Sequence, residues 1–356
     1  MVAEGRFFAS LRMTALLCLL SSCAAPQRLD QSQIVHREFL AMGTRIAISV
    51  RVERASDAVR AERAIDSAKK LISEFGQQWW AWGDGDLAAI NRDLSRGRAA
   101  RIPESMRPLF ARAWQLHRAS NGRFEPRIGA LVRLWGFDDI ARLRSAPPSR
   151  RELDRTLSTL RHAPPYSDAE QYGPARGVAW DFGGIAKGWI VDATLDALRD
   201  VGFADALVDA GGNLAVRGAP DRSRAWHVAI RDPRSAQTGH AFLAELDARD
   251  ESVNTHADDQ RFFEKDGRRY GHILDPFTGR PVRGIASVTV LHRDGALADA
   301  GGLALFVAGP EHWREAARQL ELEEALVALE DGRYIATAKL ARRLHAAPGV
   351  TIETLP

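Results

Sequence analysis

The strand-to-helix turn near the middle of the chain constrains the fold more than any other stretch. Val178-Ala179-Trp180 leads as a short apolar run into Asp181-Phe182-Gly183-Gly184-Ile185-Ala186-Lys187-Gly188. Trp189, Ile190, Val191, Ala193, Leu195 and Leu198 then recur at helical spacing. Glycines let a ligand approach the backbone closely, and the free N–H groups of a helix start attract anions. Lys187 adds a charge suited to a phosphate. The same octapeptide also reads as an ordinary connection carrying a solvated lysine. Spacing excludes two other phosphate-binding loops, since neither GxxxxGK[ST] nor GxGxxG is present.

The N-terminal residues read as a targeting segment rather than as part of the fold. Arg6 and Arg12 precede a short apolar run from Met13 to Leu20, too short to cross a bilayer as a helix. Leu20-Ser21-Ser22-Cys23 has the aliphatic, small, small, cysteine order of a bacterial lipoprotein signal. On that reading residues 1–23 are the signal, and Cys23 carries a lipid on the periplasmic side of a bacterial membrane. Residues 24–36 are then a tether ahead of a single domain over 37–356. A plain secretory signal with an incidental cysteine is the alternative. Cys18 and Cys23 are the only cysteines, so the domain holds no disulfide and relies on its core. A formal net charge of +3 is mild, and no basic block with interleaved aromatics occurs. Nucleic acid is therefore not an expected partner.

From Phe39 the chain turns globular. Met42-Gly43 is turn-forming, and Ile46, Ile48, Val50 and Val52 alternate as in a strand. Residues 55–75 carry an amphipathic helix closed by Gly76. Trp79, Trp80 and Trp82 follow in a Gly/Asp-rich loop, where they either stack on an aromatic ligand or pack as core and lid. Pro103 opens another helix, ended by Asn121-Gly122. Residues 138–176, rich in Arg, Pro and Ser, read as a surface-exposed insertion with one helix near 150–160. Short strands are expected at 206–208, 214–216, 226–230, 241–246, 286–291, 325–329 and 334–336, and helices at 297–307 and 312–320. Without strict βαβ alternation, the expected class is α+β, a single domain of mixed sheets and helices.

Six separated pieces ask for one explanation. They are Ala41-Met42-Gly43-Thr44; Gly122-Arg123-Phe124-Glu125-Pro126 with Leu134-Trp135-Gly136-Phe137; the Asp181–Gly188 turn with Asp192; Leu207-Val208-Asp209-Ala210-Gly211-Gly212-Asn213; His272-Ile273-Leu274-Asp275-Pro276-Phe277-Thr278-Gly279-Arg280-Pro281; and Ala298-Asp299. Their order and spacing resemble the ApbE-type FAD:protein FMN transferases over nearly all of the chain after the signal. The resemblance implies a periplasmic, usually lipid-anchored enzyme that binds FAD and uses magnesium (Mg2+) at its pyrophosphate. Such enzymes transfer the FMN half to a threonine hydroxyl of a target protein and release AMP. Membrane-bound electron-transfer subunits are among their targets. The resemblance also implies roles: Met42, Arg123, Phe124, Glu125, Asp181, Lys187 and Ile273 fall at flavin-binding positions. Gly184, through its carbonyl, and Asp299 fall at the metal, and His272 and Asp275 fall near the reacting phosphate as catalytic groups. For Asp275 a tight turn is the plain structural reading as well.

Several positions depart from that pattern. The family usually has aspartate where Glu125 stands and threonine at Arg127. After Asp299 it has further oxygen ligands, where this chain has Gly302 and Leu303. Hydrocarbon cannot ligate magnesium. The family's Thr-Ser-Gly becomes Thr255-His256-Ala257, and His256 with Asp258 and Asp259 forms either a replacement site or a surface polar cluster. Three readings remain open: an active transferase, a flavin-binding lipoprotein that no longer transfers, and a hydrolase that splits FAD to FMN and AMP.

Overall fold

A computed structural model describes residues 33–355 apart from 140, 142, 168, 169 and 260. The expected signal with Cys18 and Cys23, and most of the expected tether, lie outside the described residues. The central sheet has nine strands: β1 (Gln33–Ala41), β2 (Thr44–Val52), β5 (Ala206–Ala210), β6 (Asn213–Arg217), β9 (Glu251–Ala257), β12 (Ile285–His292), β13 (Glu324–Leu329), β14 (Tyr334–Ala336) and β16 (Ile352–Thr354). They lie side by side in chain order, and all neighbours are antiparallel except β14 beside β16. Smaller sheets pair β3 (Ala100–Arg101) with β4 (Gln171–Tyr172), β7 (Trp226–Arg231) with β8 (Phe242–Ala248) and β15 (His345–Ala346), and β10 (Phe262–Lys265) with β11 (Arg268–Gly271).

Helices α1 (Ala58–Trp79), α6 (Ala186–Asp200) and α8 (Gly295–Gln319) cover one face of the large sheet. There Ile46, Ile48, Val208 and Val290 share a core with Ile65, Ile190 and Phe306. Val216, Leu246, Val253 and Leu326 pack on the other face, under β7 and β8. β12 is therefore buried on both sides, its Ser287 and Thr289 included. Helices α2 (Asp86–Ser95), α3 (Arg107–Ala119), α4 (Gly129–Trp135) and α5 (Arg150–Arg161), with the short α7 (Ser235–Thr238) and α9 (Ala338–Ala341), complete the α+β fold. Among the described residues no helix is long and apolar enough to cross a membrane.

Three expectations change. Strand β1 begins at Gln33, inside the stretch read as a tether, because Gln33 already pairs with Val52. Gly76 does not end α1, which runs on to Trp79. A Cβ at Gly76 would stand 2.8 Å from Met42 Cγ, so the glycine makes room for a neighbour rather than breaking the helix. The Arg/Pro-rich stretch is no mere surface insertion: Leu153, Leu157 and Leu160 of α5 are buried with Trp135, Phe137, Phe263 and Leu274. A capping box between Ser149 and Glu152 starts that helix. Residues 253–281 also hold strands, β10 and β11, hidden in the sequence by their charged residues. The two helices expected after 297 do meet, at a kink where Gly309 takes φ 75° ahead of Pro310.

Candidate active site

The floor of the site is the turn that opens α6. Asn91 pins its lead-in, donating to the Trp180 carbonyl and accepting from the Trp180 amide, each at 2.8 Å. The Asp181 amide donates to the Pro126 carbonyl at 2.8 Å, and Asp181 Oδ1 accepts from the Gly183 amide at 2.8 Å. Burial pushes the Asp181 carboxyl above its ordinary value, against the Gly183 N–H and the Arg261 charge. No side chain at Ile185 caps the helix. The cap comes from α8 instead: Asp299 Oδ2 accepts the Gly188 amide at 2.9 Å. A carboxylate of the protein thus stands at the helix start, where an incoming phosphate was expected. Glycine at 188 is what permits this approach, since a Cβ there would collide with the Gly295 carbonyl and sit 2.9 Å from Asp299 Cβ.

Asp299 is fully buried. His256 Nε2 lies 2.7 Å from the Asp299 carbonyl oxygen and 3.2 Å from Oδ1. A carbonyl only accepts, so Nε2 carries the proton and donates to it. Oδ1 has no hydrogen-bond donor of its own and faces the same His256 nitrogen. Burial opposes ionisation of Asp299, yet the His256 ring and the Lys187 ammonium hold its carboxyl below the usual range. Lys187 Nζ itself donates to Asn213 Oδ1. The Asn213 amide nitrogen is buried without a partner.

These residues do not compose the magnesium site that the sequence led us to expect at Gly184 and Asp299. Leu303 Cδ2 lies 2.5 Å from where a Gly184 Cβ would stand, so hydrocarbon packs against Gly184. One oxygen of Asp299 caps α6, and the other faces an N–H-bearing imidazole. Among the described residues, no group of three or more His, Cys, Asp or Glu side chains is disposed to hold a metal ion.

The wall opposite the floor comes from the β1–β2 turn and the hairpin of β10 and β11. Met42 (φ 51°) and Gly43 (φ 70°) both take left-handed backbone, the geometry of a two-residue hairpin. Such a φ is uncommon for methionine, and here the side chain is held over Gly76. A Cβ at Gly43 would lie 3.9 Å from Arg261 Nη2. The Arg261 carbonyl accepts from the His272 amide at 3.0 Å and from its Nδ1 at 3.2 Å. Nδ1 therefore carries the proton and Nε2 keeps a lone pair. Burial, then the Arg261 charge, pulls the His272 pKa down to about 4, so the ring is neutral near pH 7.

Residues 42–327 match the ApbE family. The chain belongs to it. Among its relatives, the "FAD:protein FMN transferase" of Rhodobacter capsulatus is 33% identical over 314 residues, 83% of this chain, which spans 57% of that relative's length. The protein of the same name from Treponema pallidum is 31% identical over 353 residues, 94% of each chain. The crystal structure of the ApbE protein from Thermotoga maritima superposes with a TM-score of 0.77 at 26% identity, over 87% of this chain and 99% of that one. The apo flavinyl transferase ApbE of Pseudomonas stutzeri gives 0.77 and 26%, over 90% and 100%.

Other expected site residues are placed differently. Met42, Asp181, Gly184, Lys187, His272 and Asp299 belong to the floor and wall just described. Glu125 is committed elsewhere: Oε1 accepts from Arg127 N at 2.9 Å and Nε at 2.8 Å, and Oε2 from Nη2 at 2.7 Å. Trp114 stacks under that guanidinium, 4.6 Å from its centre. The two departures from the ApbE pattern, Glu125 and Arg127, are thus one buried ion pair. Phe124 is buried with its ring 3.4 Å from the Gly184 Cβ position, supporting the floor through packing. Arg123 reaches Ser120 O at 3.4 Å and Gln319 at 3.5 Å, and Ile273 sits in the core.

Asp275 spends both oxygens on its own turn, accepting from Phe277 N and Thr278 Oγ1 at 2.8 Å each. It lines a separate open cleft of about 280 Å³ with Trp135, Arg268 and Arg280. The His256, Asp258 and Asp259 group disperses: His256 turns to Asp299, while Asp259 pairs with Arg231 at 2.7 Å. The tryptophans part as well. Trp79 stacks on Phe75 at 5.0 Å, Trp82 lies under Arg133, and Trp80 is exposed. Arg261, whose charge reaches Asp181 and His272, is the site neighbour that the sequence did not reveal. Its only signal is the hairpin register, which puts Phe262 opposite Gly271 and so Arg261 beside His272.

Proposed function

We infer that this ApbE-family chain is an FAD:protein FMN transferase. It takes FAD, joins the FMN half to a threonine hydroxyl of an acceptor protein and releases AMP. The observation that carries this reading is a neutral His272 with a lone pair on Nε2, on the wall that Arg261 also builds and within the field of Lys187. The names of the relatives support FAD as substrate and a protein as acceptor. In the step, the threonine oxygen attacks the phosphorus of the FMN half. The bond from that phosphorus to the bridging oxygen breaks, and AMP leaves with its electron pair. His272 Nε2 takes the hydroxyl proton, which passes on to solvent. Lys187 and Arg261 offset charge on the phosphates. Magnesium does not enter this proposal, because Leu303 packs at Gly184 and both Asp299 oxygens already face N–H groups of the protein.

The acceptor fits a membrane-bound electron-transfer subunit on the periplasmic face, with this chain held beside it by lipid on Cys23. The Leu20–Cys23 order supports that anchoring, and a Cys23→Ser chain should move from the membrane to the soluble fraction. The transfer itself is tested by incubating the protein with FAD and threonine-bearing acceptors, then reading protein-linked flavin fluorescence and AMP. Neither signal with any acceptor would refute the activity.

A further inference from the structure

We infer that this site handles FAD without a divalent cation, and that Lys187, Arg261 and the Asn213 amide meet the pyrophosphate charge. The inference rests on the flavin-transferase reading above. Four features of the packing lead to it.

Leu303 occupies the space over Gly184, with Cδ2 2.5 Å from the position of a Cβ there. Magnesium is held by one or two carboxylates together with waters and substrate phosphates, and an aliphatic side chain closes one side of the place expected for it. Asp299 is already engaged, since its Oδ2 caps α6 through the Gly188 amide. His256 fills the remaining ground. A Cβ at Gly302 would lie 2.9 Å from His256 Cδ2, so the loss of a side chain at 302 and the gain of an imidazole at 256 are one substitution in space. That ring directs an N–H, which repels a cation, at the Asp299 carbonyl 2.7 Å away.

The fourth feature concerns the ligand's own charge. The Asn213 side chain is wholly buried, its Oδ1 takes the Lys187 ammonium, and its Nδ2 has no acceptor. Because an ammonium can only donate, the amide cannot be turned the other way round. An orphaned buried donor beside an ammonium calls for an anionic oxygen. Arg261 adds a second fixed positive charge, felt by both Asp181 and His272. A guanidinium and an ammonium can neutralise phosphate oxygens as charge-assisted donors, the role a metal ion would otherwise fill.

The experiment is an FAD titration of the full chain by flavin fluorescence, once with EDTA and once with millimolar MgCl2. The expected FAD dissociation constants agree within about threefold. Tightening by magnesium beyond that factor overturns the inference and leaves the transferase reading standing. No FAD binding in either buffer overturns both. The variants Asn213→Ala and Arg261→Gln are expected to weaken FAD by about tenfold or more, equally with and without magnesium. An effect confined to the magnesium buffer would count against the inference. The double variant His256→Ser with Leu303→Thr restores the polar types usual in the family and should acquire magnesium dependence.

Discussion

At the scale of single residues, His272 and Glu125 show how one side chain's role is set by what faces it. His272 titrates near pH 4 in the fold, against about 6.5 for a free imidazole. Between those values the unfolded chain binds a proton that the fold refuses. Its contribution to stability is therefore complete above pH 6.5 and is lost as pH falls toward 4. Asp258, raised to about 6 by burial and by the Glu330 charge, acts with the opposite sign across much of the same range. A global unfolding curve would mix the two, so the check is the NMR titration of the His272 ring, expected to turn near pH 4. A midpoint near 6.5 would mean that burial and the Arg261 charge do not act on the ring as its surroundings imply. His272→Ala should lower the transfer rate by about a hundredfold or more. For Glu125, mutation to Ala strands Arg127 in the interior and should cost about 3 to 5 kcal/mol in urea unfolding. Replacing both residues by the family's usual Asp and Thr should recover most of that loss. The motif around His272 was legible in the sequence. Its tautomer was not, because the carbonyl that sets it belongs to Arg261 on another strand.

At the scale of elements, the crossing of α6 and α8 holds the site together. Gly188 lets the helices touch, and Asp299 of one caps the other at 2.9 Å. Gly188→Ala would push a methyl into the Gly295 carbonyl, backbone that cannot move aside. It should lower stability by about 2 kcal/mol or more, read by urea unfolding, and weaken FAD binding in parallel. Equal stability to the wild type would mean that the helices can slide apart. Helix α6 was plain from its periodicity, as was most of the large sheet. The hairpin of β10 and β11 was not, since Glu264, Lys265, Arg268 and Arg269 mask its alternation. Glycine was the least readable residue: Gly76 looked like a stop signal, yet it is space for Met42.

At the scale of the whole molecule, the site joins segments drawn from the turn at Met42, the floor at 181–188, Asn213, the strand carrying His256 and the hairpin at Arg261. No single unit contains it, so a ligand there should stabilise the fold as a whole. FAD at a hundredfold over its dissociation constant should add about 2.7 kcal/mol to unfolding. A thermal melt with and without FAD, in EDTA, reads this directly. An unchanged midpoint would mean that the assembled site does not bind flavin.

The sequence alone determined the α+β class, the positions of most strands of the large sheet, the floor with its lysine, the histidine motif and the loss of oxygen at 302 and 303. These are local patterns, carried by periodicity, turn chemistry and residue type. Only the tertiary structure decided that Glu125 answers Arg127, that Asp275 serves its own turn, that His256 enters the space freed at Gly302, and that Arg261 joins the site. Each of these is a contact between partners whose meeting depends on helix crossings and strand register, and register is settled by packing rather than by the residues of either partner.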